Sequence, residues 1–159
     1  MKIFTLTKHQ FIPIPIEKAW EFFSNPHNLS EITPPDLALN IKTNNSSKIY
    51  SGMLIEYNVK PLFGLSCRWL TEIKHVCEPY FFIDEQRFGP YKFWYHQHFF
   101  KPVHGGVEIE DVVHYAIPFP GIDRLMNRWI VRKKLEQIFE YRRRVINNKF
   151  AEAEGVRHE

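Results

Sequence analysis

Residues 91–100 are Tyr-Lys-Phe-Trp-Tyr-His-Gln-His-Phe-Phe, and their alternation predicts a β-strand with two different faces. Successive side chains of a strand point to opposite sides of the sheet. One side then carries Trp94, His96, His98 and Phe100. Large rings suit solvent poorly, and a plain apolar core has no need of two neighbouring imidazoles. We therefore expect this face to line an interior space that can grip an apolar molecule and exchange protons with it.

The composition predicts one compact domain. The chain has 159 residues, including 14 Phe, 7 Tyr and 4 Trp, which is enough for a sizeable core. The net charge of +3 is small and gives no reason to expect a nucleic-acid partner. Cys67 and Cys77 would lie about 33 Å apart on one strand, too far for a disulfide, so we expect reduced thiols.

The sequence also predicts a cytoplasmic location. The residues from Met1 to Phe4 lead directly into a strand pattern and lack the features of a signal peptide. No apolar run approaches the length of a membrane span, so we expect no stable membrane insertion.

Strands and one long helix account for the rest of the chain. A first strand over 2–12 is followed by two short helices, near 16–23 and 26–32. Six further strands are predicted at 37–43, 52–60, 65–76, 80–88, 91–101 and 106–117, separated by turn residues such as Asn44-Asn45 and Pro61-Leu62-Phe63-Gly64. A helix over 122–148 carries a broad apolar stripe, and residues 151–159 are expected to form a flexible tail.

This order of elements predicts an α+β fold for a single domain over 1–150. Short connections favour antiparallel pairing, so the strands would form one seven-stranded curved antiparallel sheet. That sheet must bury one face, and the long C-terminal helix can cover it. A curved sheet wrapped around one helix tends to leave a cavity between them.

The two-residue period of the strands selects the candidate ligand-binding residues. From the sheet they are Tyr57, Trp69, Thr71, Asp84, Gln86, Trp94, His96, His98, Phe100, Asp111 and Tyr115, and from the helix Trp129. The opposite face of the 91–101 strand carries further aromatic residues, including Phe93 and Tyr95. If that face is exposed, a second copy of the chain is a partner it would suit, giving a homodimer.

His96, His98 and Asp111 are the candidate catalytic residues. The strands over 91–101 and 106–117 are consecutive, so antiparallel pairing brings Asp111 close in register to one of the imidazoles. A nearby carboxylate favours the protonated imidazole, whereas burial favours the neutral one. Three roles remain open for this group: a hydrogen-bonded network that satisfies itself, a site that orients a ligand, and acid–base catalysis.

A metal ion is a further alternative for the same face. His96 and His98 lie about 6.6 Å apart along the strand, so both could reach one ion, with Asp111 or Asp84 as a third ligand. A His-x-His pair alone is a weak signal, and we predict neither a metal nor another cofactor. The sequence also lacks a phosphate-binding glycine loop, a dinucleotide fingerprint and a nucleophile elbow.

Several segments, in this order of elements, resemble a known superfamily. They are Pro15-Ile16-Glu17-Lys18-Ala19-Trp20-Glu21-Phe22-Phe23, Phe82-Ile83-Asp84-Glu85-Gln86, Trp94-Tyr95-His96-Gln97-His98-Phe99-Phe100 and Asp111-Val112-Val113-His114-Tyr115. Together they are similar to the START-like, or SRPBCC, superfamily, which includes the birch-pollen allergen family and polyketide cyclases and dehydratases. Within it they resemble a bacterial ligand-binding subgroup.

The resemblance implies the helix-grip fold and a hydrophobic small-molecule ligand held between sheet and helix. Such a ligand would be a lipid, a polyketide or an aromatic metabolite. The alternative is an enzyme of the cyclase or dehydratase type in the same cavity. There His96 or His98 would remove a proton next to a carbonyl, and Tyr57 or Tyr115 would donate to the developing enolate.

Overall fold

The computed structural model describes residues 2–43, 46–61 and 64–155, with the backbone alone for 152–155. Parts of two predicted turns, Asn44-Asn45 and Leu62-Phe63, lie outside the described residues, as do residues 156–159 of the predicted tail. The prediction of a flexible tail over 151–159 therefore stays a prediction, although the last helix continues as far as Gly155.

Seven antiparallel strands form one curved sheet, as predicted. They are β1 (Phe4–Ile12), β2 (Asn40–Ile41), β3 (Leu54–Val59), β4 (Cys67–Cys77), β5 (Phe81–Phe88), β6 (Phe93–Val103) and β7 (Gly106–Ala116). Their order in the sheet is β1-β7-β6-β5-β4-β3-β2, so the first strand pairs with the last. β6 carries both candidate histidines and pairs with β5 on one side and β7 on the other.

Two short helical segments follow β1, again as predicted. The helix α1 (Ile16–Phe23) begins after Pro15, whose fixed φ and missing N–H suit a helix start. Ile16, Ala19 and Trp20 share its buried face. The second segment, Pro26–Ser30, is a 3₁₀ helix that begins where the Asn25 side chain accepts a hydrogen bond from the backbone N–H of His27.

The second predicted strand is much shorter than 37–43. Residues Pro35–Leu37 form a 3₁₀ turn, and Ala38 adopts a left-handed conformation with φ 45°. The chain therefore enters the sheet only at Asn40 and leaves it after Ile41.

The C-terminal helix runs from Asp123 to Gly155 in three parts. They are α2 (Asp123–Met126), a π-helical segment (Asn127–Val131) and α3 (Arg132–Gly155). Its buried face is marked by residues four apart, Asn127, Val131, Leu135 and Phe139. No helix in the described part of the chain combines the length and apolarity needed to cross a membrane.

Two groups of buried side chains form the core. One surrounds Trp20, Phe82 and Phe100 near α1. The other surrounds Trp69, Trp94 and Tyr115 beneath the C-terminal helix. The candidate site lies where residues of both groups meet.

Candidate functional site

A cavity of about 190 Å³ lies between the sheet and the C-terminal helix. Most of its wall is apolar: Trp69 and Trp94 come from the sheet, and Leu135, Ile138 and Phe139 come from α3. This volume is below the roughly 300 Å³ at which ordinary ligand pockets begin, so it suits a small guest.

The tryptophan wall is held in one geometry by ring contacts. The rings of Trp69 and Trp94 meet edge to face, with centroids 5.3 Å apart and planes at 87°. Tyr57 stacks on Trp69, with centroids 5.8 Å apart and planes at 19°. Because aromatic side chains have few rotors, this wall is already rigid before any ligand arrives.

Asp84, His96, His98 and Asp111 form a closed group beside the cavity, which we call the His–Asp cluster; the first three line it. The pairing of β5 with β6 places Asp84 opposite His96, and the pairing of β6 with β7 places Asp111 opposite His98. The expected proximity of Asp111 to the imidazoles is therefore confirmed. The two imidazole rings are neighbours, with centroids 3.7 Å apart.

Each imidazole of the His–Asp cluster lies between the two carboxylates. On the Asp111 side, Oδ1 lies 2.9 Å from Nε2 of His96 and 2.8 Å from Nδ1 of His98. On the Asp84 side, Oδ2 lies 2.9 Å from Nε2 of His98 but 3.7 Å from Nδ1 of His96. The cluster thus contains three short contacts and one that is longer than a hydrogen bond.

The surroundings shift the protonation of the two imidazoles in opposite directions. Burial, together with the charge of His98, lowers the pKa of His96. Burial also acts to lower the pKa of His98, but hydrogen bonds to Asp111 and Asp84 outweigh it and the pKa is raised. His98 is therefore the imidazole that carries the positive charge more readily, and it can donate to a carboxylate from each ring nitrogen.

Asp111 stays ionised because of the same contacts. Burial acts to raise the pKa of its carboxyl, but hydrogen bonds from His96 and His98 outweigh burial and lower it. An ionised carboxylate that accepts hydrogen bonds from two imidazoles fixes the orientation of both rings.

Tyr57 and Thr71 form a second polar contact in the wall. The Tyr57 hydroxyl lies 3.1 Å from Oγ1 of Thr71. Burial raises the pKa of Tyr57 well above its ordinary value. The phenol therefore stays neutral and keeps a proton that it can donate to Thr71 or to a guest.

Seven of the predicted site residues line the cavity, and five do not lie in its described lining. Those that line it are Tyr57, Trp69, Thr71, Asp84, Trp94, His96 and His98. Whether they bind a ligand stays a prediction. Asp111 belongs to the same site but lies on the far side of the imidazoles, where it contacts both of them.

Three further candidates make hydrogen bonds or packing contacts away from the cavity wall. The Gln86 amide bonds both the backbone O and the backbone N–H of Tyr91, at 2.7 and 3.2 Å, and so closes the turn before β6. Phe100 is buried at 3% exposure against Trp20, with centroids 5.8 Å apart. The hydroxyl of Tyr115, a fully buried residue, donates to Oδ1 of Asn127 at 2.6 Å.

The expectation that Trp129 faces the cavity is wrong, because its side chain is 55% exposed. Asn127 and Val131 occupy the buried positions on either side of it, which directs Trp129 to the opposite face of the helix. Arg128 and Lys133 each place a cation 5.2 Å from its ring. A polar residue at 127 interrupts the apolar stripe, and so the stripe predicts the wrong face for this part of the helix.

Sequence reasoning missed Arg142, which lines the cavity from α3. Its guanidinium lies 5.0 Å from the ring of Phe139, and among the described residues its Nε is buried without a hydrogen-bond partner. The helical spacing of Leu135, Phe139 and Arg142 was the signal that could have found it. The indole Nε1 of Trp69 is likewise buried without a partner in the described part of the chain.

No family model and no curated protein matches the sequence. Solved structures do match the fold. The chain is similar to TTHA0849 from Thermus thermophilus, with 17% identity, a TM-score of 0.67 and coverage of 94% of this chain and 98% of that one. It is also similar to Ara h 8.0201, with 16% identity, a TM-score of 0.60 and coverage of 91% of this chain and 98% of that one.

A third match is the di-domain ARO/CYC StfQ from the steffimycin biosynthetic pathway. The identity is 12%, the TM-score 0.72, and the match covers 96% of this chain and 52% of that one. The chain thus spans about half the length of StfQ. At these identities the likeness concerns the fold, and together with the sheet order and the C-terminal helix it identifies the fold of this chain as a helix-grip fold.

Proposed function

We propose that the protein binds a small hydrophobic molecule in the cavity between the sheet and the C-terminal helix. The observation that carries this proposal is a rigid aromatic wall facing a helix that contributes Leu135, Ile138 and Phe139. Few such cavities occur in a protein of this size, and an apolar cavity with a small number of polar groups is the usual form of a ligand site.

The polar groups of the wall indicate what the ligand carries at its polar end. Nε1 of Trp69 and Nε of Arg142 are donors, and within the described residues neither has a partner. Buried donors are normally satisfied, so a ligand with acceptor oxygens would complete this wall. An aromatic metabolite, a polyketide or a lipid fragment with a carbonyl or carboxylate would meet that requirement.

A cavity-filling variant tests this proposal. Leu39 lines the cavity, whereas Leu65 is 72% exposed, so Leu39→Trp and Leu65→Trp make the same substitution inside and outside the site. Binding of anilinonaphthalene sulfonate would be followed by fluorescence titration, with circular dichroism to show that each variant is folded. The larger side chain would occupy part of the ligand space, so we expect Leu39→Trp to bind the probe about tenfold or more weakly, a loss of about 1.4 kcal/mol or more.

The matched variant should bind as the wild type does. Equal affinity in wild type and folded Leu39→Trp would contradict a ligand site in this cavity. Native mass spectrometry of freshly purified protein would complement the titration, because a copurified small molecule lost in Leu39→Trp identifies the natural ligand class.

Acid–base catalysis on the bound molecule is the second candidate. The observation that favours it is that His96 and His98 both line the cavity while Asp111 orients their rings. A cyclase or dehydratase reaction needs a base beside a carbonyl-activated carbon and a donor for the enolate. In this proposal the bound molecule leaves chemically altered, which mass spectrometry of the ligand before and after incubation would detect.

A further inference from the structure

Three potential metal ligands face the cavity from β5 and β6. Asp84, His96 and His98 all line it, and one ligand atom from each lies within 4.8 Å of the others. Oδ2 of Asp84 lies 3.7 Å from Nδ1 of His96 and 2.9 Å from Nε2 of His98. Tetrahedral zinc with bonds of about 2.0–2.1 Å holds its ligand atoms about 3.3 Å apart, a spacing that these two distances bracket.

Asp111 occupies the position of an outer carboxylate behind both imidazoles. It contacts Nε2 of His96 at 2.9 Å and Nδ1 of His98 at 2.8 Å, and these are the nitrogens turned away from Asp84. Histidines that bind a metal nearly always give their other ring N–H to a carboxylate, a carbonyl or a water. Here one carboxylate does this for two rings, which leaves a nitrogen of each directed toward Asp84.

A hydrogen-bonded network alone does not explain why Nδ1 of His96 faces Oδ2 of Asp84. When Nε2 of His96 donates to Asp111, Nδ1 of the same ring carries a lone pair. The nearest carboxylate oxygen in the described part of the chain, on Asp84, is 3.7 Å away and also carries lone pairs. A cation placed between them would be bound by both groups and would balance the two carboxylates. On binding it, His98 would release the Nε2 proton that faces Asp84, so that both imidazoles are neutral.

We propose that Asp84, His96 and His98 bind one divalent first-row transition-metal ion, with Asp111 as the positioning residue for both imidazoles. Two imidazoles and one carboxylate form a donor set for ions such as Zn²⁺ or Fe²⁺, whereas Mg²⁺ and Ca²⁺ prefer oxygen donors. Three protein ligands leave a further coordination position, and the cavity is the space into which it would open. Such open sites are typical of metal ions that act on a bound molecule.

The site would hold the ion beside the apolar ligand space without requiring that ligand. The metal proposal therefore goes beyond the proposed function and can be tested separately with the metal alone. Failure of probe binding in the Leu39 experiment would leave this proposal standing, and failure of metal binding would leave the ligand proposal standing.

The first test measures Zn²⁺ binding to the full chain after treatment with a chelator. We expect one Zn²⁺ per chain by titration calorimetry, and a loss of affinity of at least about tenfold in His96→Gln and in Asp84→Asn. Asp111→Asn removes the outer carboxylate and should weaken binding by about 10–100-fold. His104→Gln is the matched control, since His104 is exposed in the turn between β6 and β7, and its affinity should equal that of the wild type.

A second measurement needs no variant in the site. In nitrogen-15 NMR spectra of the wild type, one equivalent of Zn²⁺ should shift the ring nitrogens of His96 and His98 and leave those of His114 unchanged. His114 lies on the other face of β7, where its Nδ1 contacts Thr5. If His96→Gln or Asp84→Asn does not fold, this spectrum decides the question.

Three results would overturn the proposal. They are the absence of stoichiometric Zn²⁺ binding to the wild type, equal affinity in wild type and folded His96→Gln, and unchanged ring nitrogens of His96 and His98 in the presence of Zn²⁺. Each would leave the His–Asp cluster as a hydrogen-bonded network only.

Discussion

Asp111 and Glu110 are neighbours on β7, but they face environments of opposite kinds. Asp111 is buried, and its carboxylate contacts both imidazoles of the His–Asp cluster. The Glu110 side chain is 42% exposed and lies 3.8 Å from Nε2 of His9. Solvent screens the outer pair, whereas the inner carboxylate is largely desolvated and is stabilised by hydrogen bonds from both imidazoles.

Asp111→Asn is therefore expected to destabilise the protein far more than Glu110→Gln. Removing one partner of a buried charged group leaves the others uncompensated and costs about 3 kcal/mol. An exposed pair contributes less than about 1 kcal/mol, so Glu110→Gln should stay within that range. Urea unfolding of the metal-free protein measures both, and equal losses in the two variants would contradict the interior role of Asp111.

At the scale of elements, the C-terminal helix is aligned on the sheet by a polar contact. Asn127 lies at the start of the π-helical segment and accepts a hydrogen bond from the hydroxyl of Tyr115 on β7. Both residues are buried. The bond lies on the buried 127–131–135–139 face of the helix, and Trp129 lies on the exposed side.

Replacing Asn127 should show how much the hydrogen bond from Tyr115 contributes to stability. We expect Asn127→Ala to lower the free energy of unfolding by about 1–3 kcal/mol, because a buried tyrosine hydroxyl then lacks its acceptor. In the Tyr115→Phe background that hydroxyl is absent, so the same change should cost about 1 kcal/mol less. Unfolding curves of the two single variants and the double variant complete the cycle, and strictly additive losses would show that the bond does not couple helix and sheet.

At the scale of the whole molecule, buried and exposed apolar residues lie at opposite ends of the C-terminal helix. Past the π-helical segment, Leu135 and Phe139 are buried beneath α3. Before it, Ile122 and Leu125 are 53% and 62% exposed, and Trp129 is exposed beside them. The predicted homodimer would instead use the outer face of β6, where Phe93 and Tyr95 are half-buried, and it stays a prediction.

The four tryptophans allow the exposed surface that contains Ile122, Leu125 and Trp129 to be examined directly. Trp20, Trp69 and Trp94 are buried, and Trp129 is the exposed one. In a monomer, acrylamide should quench mainly the Trp129 emission, and Trp129→Phe should remove that quenchable fraction with little change in stability. Trp94→Phe is the control that should keep it. Protection of Trp129 in the wild type would contradict the exposed surface.

Local sequence was enough to assign the faces of the central strands. The side chains of His96, His98 and Asp111 lie on the predicted face because the two-residue period of a strand is a local property of the backbone. The order of the elements likewise predicted the antiparallel sheet and its long helix correctly, since short connections between strands leave few other arrangements.

Packing between elements settled which of these residues meet and which face the cavity. Asp84 comes close to both imidazoles only through the register of β5 against β6, which the sequence of neither strand specifies alone. The rotation of the helix, whose buried face carries the bond from Tyr115 to Asn127, brings Arg142 to the cavity and leaves Trp129 exposed. Contacts between elements distant in the chain depend on how their surfaces pack together, and local periodicity does not predict that packing.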